Sequence, residues 1–109
     1  MKAGYRVWIE DEEGNRIFGE GPYQLLELIE ELGSINKASK KMNMSYSKTM
    51  RIIKKTEEKL GIKLLDREIG GIDGGGAKLT DNCKELMERY GKFRDACTAG
   101  IERIYNETF

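Results

Sequence analysis

Gly33-Ser34-Ile35-Asn36-Lys37-Ala38-Ser39-Lys40-Lys41-Met42-Asn43-Met44-Ser45-Tyr46-Ser47-Lys48 is the stretch that decides how this chain folds. Ser34 is a good N-cap, and it opens a short helix from Ile35 to Met42. Ile35, Ala38 and Met42 mark the inner face of that helix, with Asn36, Lys37, Lys40 and Lys41 outside. Asn43-Met44 makes a tight connection. Ser45 then caps a longer helix reaching Leu60, where Gly61 ends it. Thr49, Ile53, Thr56 and Leu60, at spacings of four, three and four, turn inward. Two helices joined this closely form a helix-turn-helix over residues 34–60.

The flanking segments complete the unit. Upstream, Tyr5, Val7 and Ile9 alternate with Arg6, Trp8 and Glu10. A turn-type Gly14-Asn15 follows, then Arg16-Ile17-Phe18-Gly19, so residues 5–19 read as a β-hairpin. Leu25, Leu26, Leu28, Ile29 and Leu32 form the apolar stripe of a first helix over 22–32, with Gly33 at its C′ position. Downstream, Leu64 to Thr80 reads as two short strands joined by a tip with five glycines in the seven residues from Gly70 to Gly76. That is a wing. Thr80 caps a final helix over 81–105. Within it Cys83, Tyr90, Cys97 and Ile104 recur every seven residues, and Leu86 and Phe93 follow the first two by three. This spacing suits a helix–helix seam as far as Gly100. Leu86, Tyr90, Phe93, Cys97, Ile101 and Ile104 are the expected dimer contacts. The expected architecture is α+β: one winged helix-turn-helix domain over 1–109, with an N-terminal β-hairpin and a long C-terminal dimerisation helix.

Composition removes several classes of function. The chain has no histidine, so it cannot build a Ser-His-Asp triad, a Cys-His dyad or a His-ligated zinc site. Cys83 and Cys97 are fourteen residues apart with no CxxC, which signals neither a metal knuckle nor a redox pair. The glycine cluster lacks a GK[ST] ending and joins strand to strand, unlike a phosphate-binding loop. Glu57-Glu58 and Asp11-Glu12-Glu13 fall on surface or turn positions with no sign of a pocket, so an acid/base enzyme is not expected. No catalytic residue, metal or cofactor is expected. No apolar run approaches the ~20 residues of a membrane span, and the start has no apolar signal core. A cytoplasmic protein with reduced thiols is expected.

Nineteen basic and nineteen acidic residues give a formal net charge of zero, which taken alone argues against nucleic acid. The distribution reverses that. Residues 1–33 carry −5, residues 34–67 carry +7 and residues 68–109 carry −2. The positive block coincides with the helix-turn-helix, and a local block attracts phosphate even on a neutral molecule.

With Thr49 at the centre of the buried face and 100° per residue, Ser47, Arg51, Lys54 and Glu58 of the second helix point away from the core. Met50 and Lys55 flank them. A helix of this width fits a major groove, and Arg51 is the candidate for a bidentate contact with a guanine edge. Ser45, Tyr46 and Ser47 sit at the end that enters first, where hydroxyls and free backbone N–H groups reach phosphate or base. Ser34, Lys37, Lys48, Lys54, Lys55, Arg67 and Lys78 complete the expected DNA-binding set, with Arg67 and Lys78 flanking the wing tip. Each feature has a plainer reading. A lysine-rich helix is commonly a solvated face, Tyr46 serves equally well as a packing residue, and Met42, Met44 and Met50 suit core filling. The rival function is a winged-helix protein-interaction module that docks a partner without binding DNA on its own.

Gly33-Ser34-Ile35-Asn36-Lys37-Ala38-Ser39, Met44-Ser45-Tyr46-Ser47 and Leu60-Gly61-Ile62-Lys63-Leu64-Leu65-Asp66-Arg67 resemble the winged helix-turn-helix of LysR-type regulators. The N-terminal domain of molybdate-responsive, ModE-type regulators is more similar still. It shares the opening, the Met-Ser-Tyr helix start and the wing from Gly70 to Thr80. The resemblance implies a DNA-binding transcriptional regulator that dimerises through the first and last helices. It also implies a pseudo-palindromic site read in successive major grooves about 34–36 Å apart. In full-length members oxyanion binding belongs to C-terminal domains, and a single-domain form without them is expected for a sequence ending at Phe109. The chain itself is therefore not expected to bind molybdate, and any small-molecule effector stays open.

Overall fold

The polar bend at residues 11–15 is closed by its own side chains. Asp11 Oδ1 accepts from the backbone N–H groups of Glu13 and Asn15, both at 2.9 Å, while Gly14 takes the left-handed conformation at φ 87°. This turn joins β1 (Trp8–Glu10) to β2 (Arg16–Gly19) in antiparallel register: Trp8 pairs with Gly19, Ile9 with Phe18 and Glu10 with Arg16. A Cβ on Gly19 would come within 3.1 Å of Trp8 Cβ, so glycine permits this close pairing. The computed structural model describes residues 1–67 and 76–109, without the Arg67 side chain.

The strand expected from Tyr5 begins at Trp8. Its partner strand ends at Gly19, where the chain turns into helix α1 (Glu20–Leu32), so earlier residues have no strand to pair with. Helix α1 also starts two residues ahead of the expected position. Gly21 and Pro22 lie in its first turn, where a proline's missing N–H goes unneeded. Gly33, at φ 65°, closes α1 by donating to the Ile29 carbonyl at 2.8 Å.

Helices α2 (Ile35–Lys41) and α3 (Tyr46–Leu60) follow as the capping residues dictate. Ser34 Oγ accepts from Lys37 N–H at 3.2 Å and Ser45 Oγ from Lys48 N–H at 3.1 Å. Asn43, left-handed at φ 56°, makes the turn between them, a conformation asparagine tolerates better than most residues. Strands β3 (Leu65–Arg67) and β4 (Ala77–Leu79) pair antiparallel, Leu65 with Leu79 and Arg67 with Ala77. A bridge from Ser34 to Gly76 ties this wing to the start of α2. The expected tip residues Gly70, Gly71, Gly74 and Gly75 lie outside the described residues.

Helix α4 (Asp81–Thr108) is capped by Thr80, whose Oγ1 accepts from Cys83 N–H at 3.1 Å. It passes through Gly100 without a break and ends three residues beyond the expected Tyr105. Phe18, Leu25, Leu26, Ile29, Ile35, Ala38, Ile53, Leu64, Leu79, Cys83, Met87 and Tyr90 form one core where hairpin, helices and wing meet. Only the first part of α4 joins it. Beyond Gly91 none of its residues is buried, and the helix projects from the body. The Cα radius of gyration of 16.1 Å accordingly exceeds the roughly 13 Å expected for a compact chain of this length.

The hairpin turn also carries a pH response. Hydrogen bonds from Asn15, with help from Lys59 at 3.2 Å, lower the Asp11 carboxyl from 3.8 to about 2. A depressed carboxylate stabilises the fold above its unfolded pKa, and that contribution is lost as pH falls through the folded value. The melting-temperature difference between wild type and Asp11→Asn will hold constant above about pH 4 and shrink towards pH 2. A difference that stays constant down to pH 2 would mean the turn does not hold the charged form.

Candidate nucleic-acid interface

The seat of α3 is set by its buried side. Thr49, Ile53 and Thr56 are buried and Leu60 is half-buried. Ser39 Oγ lies 2.7 Å from the Ile35 carbonyl oxygen and 2.8 Å from Thr49 Oγ1. With one proton on each hydroxyl, both contacts are satisfied when Ser39 donates to the carbonyl and Thr49 donates to Ser39. This buried pair fixes α3 against α2. Thr56 Oγ1 is 3.1 Å from the Ile52 carbonyl and 3.3 Å from that of Ile17, which places α3 against the hairpin.

With that side buried, Tyr46, Ser47, Lys48, Arg51, Lys54 and Lys55 are all exposed, as is the cap residue Ser45. Together these residues present hydroxyl, guanidinium and ammonium groups over about 15 Å of helix. No acidic residue lies in the first turn, so the partial positive charge of the helix N-terminus is uncompensated. Glu58, exposed near the other end, bounds the cationic stretch. Tyr46 is exposed rather than packed at the helix start. Met50 is half-buried and packs against the core, as do Met42 and Met44.

Other expected contacts lie elsewhere. Lys37 on α2 and Lys78 on β4 are exposed. Ser34 is buried, and its hydroxyl oxygen accepts from Lys37 N–H to cap α2, so burial holds it back from the exposed surface on which the other expected contacts lie. Arg67 lies on β3, but its side chain is outside the described residues. One cation of the positive block is held away: Lys59 is tied to Asp11 across 48 positions, a contact that no sequence spacing signals. Among the described residues no group of three His, Cys, Asp or Glu side chains could hold a metal, and no helix is long and apolar enough to cross a membrane.

Along α4 the seven-residue repeat divides into two stripes. Cys83, Met87, Tyr90 and Gly91 face the chain's own core. The Tyr90 hydroxyl donates to the Val7 carbonyl at 2.9 Å, and its ring packs edge-on against Phe18 with centroids 5.2 Å apart. Burial, with the Glu20 carboxylate beside it, pushes that hydroxyl's pKa up. Tyr90, expected as a dimer contact, is thus taken up inside the fold, and so is Cys83 of the expected seam. Leu86 is half-buried and packs against the core at its edge. The second stripe, turned by about 80–90°, carries Phe93 (46% exposed), Cys97 and Ile104 (57% exposed). Ile101 is half-buried.

The two thiols therefore differ. Burial pushes Cys83 up to about 12, so it holds almost no thiolate near neutrality, whereas Cys97 is half-buried. Iodoacetamide will modify Cys97 in the native chain and reach Cys83 only in denaturant, as read by peptide mass spectrometry. Native labelling of Cys83 at a similar rate would contradict its placement in the core.

The model of the bacterial regulatory helix-turn-helix proteins of the lysR family matches residues 23–84. The molybdenum transport protein ModE of Azotobacter vinelandii is 32% identical over 81 residues, covering 74% of this chain and 30% of that protein. The transcriptional regulator ModE of Haemophilus influenzae is 34% identical over 67 residues, covering 62% and 26%. The chain thus spans less than a third of the length of these relatives. Among solved structures, the CbnR DBD–DNA complex superposes with a TM-score of 0.63 at 19% identity, covering 82% of this chain and 97% of that one, and so shares its winged-helix fold. The match to the family model runs from α1 through both helices of the motif and the wing into α4, and this chain belongs to the bacterial regulatory helix-turn-helix proteins of the lysR family.

Proposed function

We propose that the chain is a sequence-specific transcriptional regulator that binds duplex DNA in the cytoplasm as a homodimer, by occupancy and without catalysis. The observation that carries this reading is the exposed face of α3 from Ser45 to Lys55. It is rich in cations and hydroxyls, free of acidic side chains, and seated on a helix-turn-helix. Arg51 reads a base edge, Ser45, Tyr46 and Ser47 approach the groove, and Lys48, Lys54 and Lys55 hold phosphates. Lys37, Arg67 and Lys78 add backbone contacts. The outward stripe of α4, with Phe93, Cys97, Ile101 and Ile104, pairs two copies so that their recognition helices meet one two-fold site. The ModE relatives support a regulatory role.

Salt dependence tests the reading. Contact with six or more phosphates gives a slope of log affinity against log salt of about −5 or steeper. Arg51→Ala will relax preference at one base position by ~1–3 kcal/mol. Lys54→Ala will instead weaken all sequences alike and reduce the slope by about one. A flat slope, or no duplex binding at low salt, would favour a protein-docking module.

A further inference from the structure

A groove of about 590 Å³ is walled by the N-terminal segment, the hairpin, the start of α1, α3 and α4. Its volume falls within the ~300–1,000 Å³ of small-molecule sites. Trp8, Ile17, Ile52 and Tyr90 supply apolar surface. Four cations line it, Arg6, Arg16, Lys55 and Arg94, against one carboxylate, Glu20. Arg94 is committed to that carboxylate at 3.2 Å, which cancels the pair. Arg16 lies over the Trp8 ring at 3.9 Å, and neither Arg6 nor Lys55 has an ion-pair partner among the described residues.

We propose that this groove binds a small carboxylate with an apolar body. The argument is charge complementarity over an apolar floor. Arg6 and Lys55, with the Arg16 guanidinium over Trp8, leave an excess of positive charge that selects an anion even with the Glu10 carboxylate held on the Trp8 indole N–H at 2.8 Å, and the apolar walls gain from an occupant that covers them, which inorganic phosphate cannot do. A carboxylate offers Arg6 and Arg16 the planar oxygen pair that a guanidinium fork matches. The groove shares Ile52, Lys55 and Thr56 with α3, so an occupant would press between the hairpin and that helix. Any effect on DNA binding rests on the function proposed above, whereas binding itself does not.

The chain contains one tryptophan, so the Trp8 indole N–H is a unique reporter in a nitrogen-15 spectrum. The protein alone, without DNA, is titrated with 4-tert-butylbenzoate, with its neutral isostere 4-tert-butylbenzamide and with inorganic phosphate. The expected result is a saturable shift of the Trp8 indole signal with the benzoate. Binding should be at least about tenfold tighter than the amide, and phosphate should give no saturable shift. In an Arg6→Gln, Arg16→Gln variant, both positions being exposed, the preference for benzoate over amide will fall below about threefold while the rest of the spectrum is retained. No saturable shift up to about 10 mM overturns the proposal. So does equal binding of benzoate and amide. A Trp8 signal that responds to protein dilution and not to benzoate would assign the groove to a second copy of the chain, and overturns it too.

Discussion

A Phe93→Glu, Ile104→Glu double variant will sediment as a monomer, keep the helical spectrum of the wild type, and bind a full-length two-fold site about 100-fold or more weakly. The magnitude follows from linkage. When two reading heads are joined, the second binds at a high effective concentration, and avidity exceeds either single affinity by ~10²–10⁴. The two side chains are suited to the test because they are 46% and 57% exposed, so a charge there removes no core contact. In the proposed dimer each glutamate would instead be buried in the seam, where an unpaired charge is costly to desolvate. Tyr90→Glu gives the contrasting result. Tyr90 is 3% exposed and holds the Val7 carbonyl, so a carboxylate there unfolds the chain and does not cleanly separate two copies. Dimers that persist in the double variant would place the interface on another surface, with α1 the next element to test.

Ile53→Ala will destabilise the fold by about 2–5 kcal/mol. That is a large share of the ~5–15 kcal/mol expected for the whole chain. Ile53 is 2% exposed and carries α3 into the core between Thr49 and Thr56. Truncation leaves a cavity that two helices pinned by the Ser39–Thr49 hydroxyl pair cannot easily close. Arg51→Ala, two residues earlier and exposed, should shift stability by no more than ~0.5 kcal/mol. Thermal and urea unfolding of the two variants separate the faces of one helix: Ile53→Ala lowers stability, and Arg51→Ala leaves it nearly unchanged. If Ile53→Ala cost less than about 1 kcal/mol, α3 would not be seated as described.

The elements that sequence reading places well are those whose signals act over three or four residues. Ser34, Ser45 and Thr80 each cap a helix through the backbone N–H three positions on. Gly33 and Gly61 close helices in the left-handed conformation that the pattern requires. The exposed face of α3 follows from the 100° helical repeat once its inward residues are recognised. Boundaries move where a neighbouring element decides them. Trp8 starts β1 because its partner strand ends at Gly19, and α1 reaches back through Pro22 to Glu20.

Ser34 shows a subtler limit. A serine at a helix start is equally a cap and a potential phosphate ligand in one dimension, and burial beneath the wing leaves only the cap. The Lys59–Asp11 tie and the cation-lined groove join residues far apart in sequence, so no local pattern announces them. Read from residue order alone, the helix-turn-helix, its capping, its outward cationic face and the long final helix are already determined, because each depends on spacing within one element. Which stripe of that final helix is spent on the chain's own core was decided by tertiary packing. Heptad spacing says that Cys83, Tyr90, Cys97 and Ile104 can share a seam. The core ends near Gly91, and that alone separates the residues it covers from those it leaves for another surface.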